Sequence, residues 1–202
     1  MGTAPAPATK AAPQPLAVSN VRDRILASAL AIVGTDGIAA LSNRRIAREA
    51  GVSLGSVTYH FPTQNDLLRE ALLSFVAEET SRIRELVQLH DSAEVTLERA
   101  AELVAQVARD FAFTEGQFAS FELYLEAGRD PALREAATAC FAAYDELAAA
   151  ILAKLGLPHA EAYAPAVVAM IAGMQLRRLA TGHQADDIGA PLLAILQLVA
   201  TP

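Results

Sequence analysis

The sequence predicts an all-α protein: an N-terminal three-helix domain containing a helix-turn-helix, then a longer C-terminal helical domain. Three observations carry this. Hydrophobic residues make up 53% of the 202, and much of that share is alanine, the strongest helix former. Apolar residues recur three and four apart, which is helical spacing. Only ten prolines and few β-branched runs occur, which favours helix throughout.

Taken in order, residues 1–19 (MGTAPAPATKAAPQPLAVS) are rich in Ala and Pro and have no periodic apolar face, so they read as a disordered arm. A first helix is expected over 21–35, capped by Ser19 or Asn20 and stopped by Gly37. Its apolar face is Val21, Ile25, Leu26, Ala29, Leu30 and Val33. The segment 41–62, LSNRRIAREAGVSLGSVTYHFP, implies two short helices. Ser42 caps the first and Gly51 breaks it; Ser53 caps the second and Pro62 ends it. Ile46, Ala47, Ala50, Val52, Val57 and Phe61 form the inward set, and the small Ala47 lets the two helices cross closely. Two short helices joined by a tight Gly-containing turn are the helix-turn-helix pattern.

A fourth helix is expected over 63–89, with Thr63 as cap and Asp66 at its third position. Further helices follow over 93–113 and 117–127. The turn Gly128-Arg129-Asp130-Pro131 then supplies a cap and a proline for the first position of a long helix reaching about 155. The last two helices are expected over 160–180 and 188–199. The domains divide as 1–19 for the arm, 20–66 for the helix-turn-helix domain and 67–202 for the remainder.

Net charge is −7, which by itself argues against nucleic acid as a partner. The distribution reverses that reading. Residues 1–62 hold six basic side chains (Lys10, Arg22, Arg24, Arg44, Arg45, Arg48) and three acidic ones (Asp23, Asp36, Glu49), a net of +3. The remainder carries −10. One basic end on an acidic body suits a protein that meets phosphate at that end. The lone Cys140 allows no intrachain disulfide, suits a reducing cytoplasm and reads as a small buried thiol. No signal peptide is seen. The longest uncharged apolar stretch considered, 162–176, is too short for a membrane span, so no membrane partner is expected.

A helix that enters a major groove must offer short polar and small apolar side chains to base edges while its neighbours hold phosphates. The second helix of the motif offers Leu54, Ser56, Thr58, Tyr59 and His60 outward, and Gly55 permits close backbone approach. Arg44 near the start of the preceding helix can reach a phosphate or a guanine. The alternative for these residues taken singly is an ordinary helical hairpin with capping hydroxyls and solvated arginines.

The run RIAREAGVSLGSVTYHFP over 45–62, followed by TQNDLL, resembles the DNA-binding domain of TetR-type (tetracycline-repressor-like) regulators over about 21–71. The resemblance implies a homodimer that binds a double-stranded DNA operator through its first three helices. It also implies a small-molecule effector in the C-terminal domain and a dimer bundle made by the last two helices. Ser42, Asn43 and Arg44 match the start of the second helix, and Ser53 through His60 match the cap and body of the recognition helix. Where members often carry Lys just after that helix, this chain has Gln64, which weakens one phosphate contact.

The effector half is less legible. Phe111, Phe113, Phe118, Phe121, Tyr124, Phe141, Tyr144, Met170 and Met174 are candidates to line an apolar cavity. Gln106, Glu122, Tyr124, Tyr144 and Gln175 are its candidate polar anchors. Plain core is the alternative for each. Glu122 and Glu126 stand four apart; Arg129 and Arg134 nearby favour surface ion pairs over an acid/base pair. His90, His159 and His183 lie near helix ends with no metal-ligand spacing, so no metal or other cofactor is expected. Ala162, Ala166, Ala169, Ala172 and Gly173 form a small-residue stripe, and Leu192, Ile195, Leu196 and Val199 an apolar face. Both suit close helix packing, between subunits or within one. Three functions remain: a repressor released by its effector, a DNA-binding regulator without a small-molecule trigger, and a helical enzyme. The enzyme lacks convergent catalytic groups.

Overall fold

A computed structural model describes residues 20–89, 115–182 and 189–200, with positions 96, 98 and 102. Among the described residues the chain is helical without strands: α1 (Val21–Asp36), a 3-10 turn (Ile38–Ala40), α2 (Asn43–Ala50), α3 (Leu54–His60), α4 (Gln64–Leu89), α5 (Glu115–Ala127), α6 (Pro131–Lys154), α7 (Ala160–Thr181) and α8 (Gly189–Ala200). The expected arm at 1–19 and most of the expected helix at 93–113 lie outside the described residues.

The caps are those the residue types dictate. Asn20 accepts from the Arg22 N–H at 2.8 Å, Ser42 from Arg45 at 3.3 Å, and Ser53 from Ser56 at 3.0 Å. Thr63 accepts from the Asp66 N–H at 3.1 Å and donates to the Asp66 carboxylate at 2.7 Å. Asp130 accepts from the Ala132 N–H at 2.8 Å, with Pro131 at the first helical position. Each cap satisfies a helix N–H that has no partner within its own helix.

Gly51 closes α2 in the left-handed conformation, φ 62° and ψ 40°. The Val52 N–H reaches back to the Ala47 carbonyl at 2.9 Å, which folds the chain tightly into α3. Arg24 of α1 completes the turn by donating to the carbonyls of Ala50 and Gly51.

The core is organised around α1. Ile25, Leu26, Ala29, Ile32 and Val33 are all buried and pack with Ile46, Val57, Phe61, Leu67, Leu72, Leu123, Leu133 and Cys140 in one continuous cluster. This core crosses the expected boundary at 66/67, because α1 packs against α2 and α3 on one side and against α4 and α5 on the other. The expected apolar face of α1 is corrected at two positions. Ile32 belongs to it, whereas Val21, in the first turn, is exposed. A second cluster of Leu152, Leu157, Ala164, Val167 and Leu192 joins α6, α7 and α8. Helix α6 is long and apolar enough by length and composition to cross a membrane, which the sequence reading overlooked. Here Leu133, Ala136, Cys140, Leu147 and Leu152 of α6 are buried, and the helix packs against α4 and α7.

Gly51→Ala is expected to lower stability by at least about 1–2 kcal/mol, since a Cβ disfavours left-handed backbone. The added atom would also lie 2.9 Å from the Arg24 guanidinium. Thermal unfolding checks this; an unchanged melting temperature contradicts it.

Candidate nucleic-acid interface

Helix α3 is anchored by Val57, fully buried, and by Phe61 at its end. That anchoring turns the opposite face outward. Tyr59 is 83% exposed and Leu54 44%; Gly55 and Thr58 are exposed beside them. Ser56 and His60, expected outward, are only half exposed. His60 stands edge-on to Tyr59 at 5.3 Å, so the rings brace one another. A Cβ on Gly55 would meet only the Ser53 hydroxyl, at an ordinary 3.7 Å. The space over Gly55 is therefore open to an approaching partner.

The hydroxyls of this face are engaged in the free chain. Ser53 and Ser56 share a hydrogen bond at 2.8 Å, and Thr58 donates to the Leu54 and Gly55 carbonyls at 3.3 and 3.2 Å. They can turn to a base edge only by exchanging these local bonds. The outward side chains that need no such exchange are Leu54 and Tyr59.

The basic residues separate in the same way. Arg22 pairs with Glu70 at 2.6 Å, and Arg24 is spent on the α2–α3 turn. Arg45 is gripped by Asp36 and by Glu49, whose hydrogen bonds hold its guanidinium further toward the charged form. Arg48 is mostly exposed, with a loose 3.6 Å pair to Glu49. Arg44 is exposed, as are Ser42 and Asn43 beside it, and it makes no ion pair among the described residues. Arg44 is the cation most available to phosphate. Gln64, at the start of α4, is exposed and carries no charge.

The candidate effector residues sort into two places. Phe121, Tyr124, Phe141 and Tyr144 come together where α5 and α6 meet α4. Phe121 meets Tyr124 edge-on at 6.4 Å, and Tyr124 lies 4.9 Å from Phe141. The Tyr144 hydroxyl donates to the Glu79 carboxylate of α4. Met170 packs instead against the second cluster on α7, with Met174 half-buried and Gln175 buried further along that helix. Phe118 is exposed. Phe111, Phe113 and Gln106 lie outside the described residues. Cys140 is buried, its thiol pushed up to about 11 by desolvation, as an inert core thiol would be.

Glu122 is neither a cavity anchor nor paired to Arg129 or Arg134. Its carboxylate accepts from the Ile38 N–H at 2.7 Å and ties α5 to the corner after α1. Arg129 pairs with Glu126 at 3.3 Å, and Arg134 donates to the Gly128 carbonyl. Sequence reasoning missed the roles of Arg24, Glu79 and Glu122, because each partner is distant along the chain. Among the described residues no group of three or more His, Cys, Asp or Glu could hold a metal.

Comparison with known proteins gives a consistent picture. Residues 25–71 match the family model described as bacterial regulatory proteins, tetR family, and residues 91–201 match that of the tetracyclin repressor-like C-terminal domain. The HTH-type transcriptional regulator CymR of Pseudomonas putida is 32% identical over 117 residues, an alignment spanning 55% of this chain and 53% of CymR. The chain thus matches about half the length of that relative. The multidrug binding protein EbrR, solved with ethidium, is 31% identical over 91% of this chain and all of its own, with a TM-score of 0.67. A TetR family member from Streptomyces coelicolor A3 is likewise 31% identical over 91% of this chain and 100% of its own, with a TM-score of 0.68.

Tyr59→Ala is expected to leave stability within about 0.5 kcal/mol, as at other exposed positions. The same change should weaken specific DNA binding about tenfold or more, while non-specific binding changes little. Arg44→Ala should reduce the slope of log affinity against log salt by about 1. Titrations across a salt series read both effects; an unchanged affinity for Tyr59→Ala removes it from the interface.

Proposed function

The chain belongs to the tetR family of bacterial transcriptional regulators, and on that premise we propose that it is a repressor released from a palindromic operator by a small molecule. As a family member it is a DNA-binding regulator and not an enzyme. The observation that carries the DNA-reading assignment is the outward face of α3, with Tyr59 projecting, together with Arg44, exposed and without an ion pair among the described residues. We place DNA reading in 20–66, at Ser42, Asn43, Arg44, Ser53, Leu54, Gly55, Ser56, Thr58, Tyr59 and His60, and effector binding and dimerisation in 67–202. The dimer forms through α7 and α8, and the protein works in the cytoplasm.

Two copies related by a twofold axis would set two α3 helices into successive major grooves of a near-palindrome. An effector releases DNA only if it binds the mis-spaced form more tightly than the operator-bound form. Coupling of about 1–3 kcal/mol corresponds to a 5–150-fold change in affinity. A physical route exists for it. Helix α5 carries Phe121 and Tyr124 toward the effector side and, through Glu122, holds the corner that leads from α1 into α2. The structures of EbrR with imidazole and with ethidium support the effector reading by similarity.

Selection from random DNA should return a near-palindrome with half-sites about one helical turn or slightly more apart. No enrichment rejects the reading. Reporter transcription from that operator should rise when the gene for this protein is deleted; a fall would make it an activator. A compound screen by thermal shift that finds no stabilising molecule would favour a regulator without a small-molecule trigger.

A further inference from the structure

The polar groups at the α4–α5–α6 junction are poorly matched to one another. The Glu79 carboxylate is partly withdrawn from solvent, and Tyr144 donates one hydrogen bond to it. A carboxylate has room for about four hydrogen bonds. Burial pushes Glu79 up from the usual carboxylate range; the Tyr144 bond and the positive charge of Arg82 offset this only in part. The Tyr124 hydroxyl is sealed from solvent without a well-formed hydrogen bond, its nearest polar neighbour being the Tyr144 hydroxyl, and the Glu79 charge acts on it. The rings of Tyr124 and Phe141 pack tilted at 36° with centroids 4.9 Å apart, and Phe141 is 38% exposed, which gives the cluster an edge open to solvent.

Each feature selects against anions and favours a cation. A desolvated carboxylate repels anions and gains from any positive charge brought beside it. Aromatic faces attract cations, more strongly where water is excluded. A hard metal ion is disfavoured, because it needs several oxygen ligands and one carboxylate stands here. Arg82 is exposed, and its positive charge acts on Glu79 without cancelling the effect of burial.

We infer that Glu79, Tyr124, Phe141 and Tyr144 form the recognition site for an organic cation, with its charge set against the Glu79 carboxylate and its apolar body on the Tyr124 and Phe141 rings. This names the effector class and rests on the effector-released regulator proposed above. The acid cannot be dispensed with, whereas the rings supply contact that tolerates different ligand shapes.

The test uses the purified full chain without DNA and follows ethidium fluorescence. Ethidium binds; tetraphenylphosphonium displaces it, and tetraphenylborate, of nearly the same shape and opposite charge, does not. Glu79→Gln weakens ethidium binding at least tenfold. Should Glu79→Gln fail to fold, the phosphonium–borate pair on the natural chain decides. Absence of ethidium binding, equal displacement by the borate, or unchanged binding in folded Glu79→Gln overturns the inference. Release of operator DNA by neutral or anionic aromatic compounds but not by tetraphenylphosphonium overturns it while the effector reading stands. Charge-selective binding without DNA release keeps the site and overturns the effector reading.

Discussion

The burial of α1 on several sides is the constraint on which the rest depends. Ile25, Leu26, Ala29, Ile32 and Val33 are all but sealed from solvent. They pack both toward α2 and α3 and toward α4 and α5. No position of α1 satisfies one set of neighbours without the other. Two polar fasteners sharpen this. Arg24 binds the turn between α2 and α3, and Glu122 binds the Ile38 N–H just past the end of α1. Each joins a charged group to backbone, the stronger kind of hydrogen bond. A displacement of α5 therefore cannot stop at its own surface. Close-packed interiors deform little, and this shared core connects α5 to α3 through α1.

Local pairing refines the electrostatic picture. The count of charges divides the chain into a basic start and an acidic remainder. Most of the basic excess is nonetheless occupied. Arg22, Arg24 and Arg45 hold the fold together, and their charge reaches DNA only as a background potential. With Gln64 at the start of α4, the exposed cations that the proposed interface offers to phosphate are Arg44 and, with a loose pair to Glu49, Arg48. In that proposed interface, more of the binding would fall to the exposed α3 face, where Leu54 and Tyr59 project.

Local signals in the sequence were reliable and distant ones were not. Ser42, Gly51, Ser53, Thr63 and Asp130 act within four residues of themselves, so their residue types alone mark the helix ends. The 3-10 turn at Ile38–Ala40 is too short to show a period. Glu122 reads as a surface ion pair because Arg129 and Arg134 are near in sequence, yet its partner lies 84 residues away. Glu79 sits among polar neighbours on α4, and nothing local announces that Tyr144 will cover it. The aromatic candidates grouped well because Phe121 and Tyr124 are three apart on α5 and Phe141 and Tyr144 three apart on α6. Met170 carries the same apolar character but faces the second cluster, a distinction only the packing of α7 reveals.

The central claim is that the α3 face bearing Tyr59 enters the major groove. Site-specific photo-crosslinking tests it directly, with Tyr59→p-benzoylphenylalanine compared against Leu125→p-benzoylphenylalanine on α5, another strongly exposed position. The account predicts efficient crosslinks from position 59 to selected operator DNA, lost when unlabelled operator competes, and none from position 125. Crosslinking from position 125 in place of 59, or from neither while the operator remains bound, would contradict it.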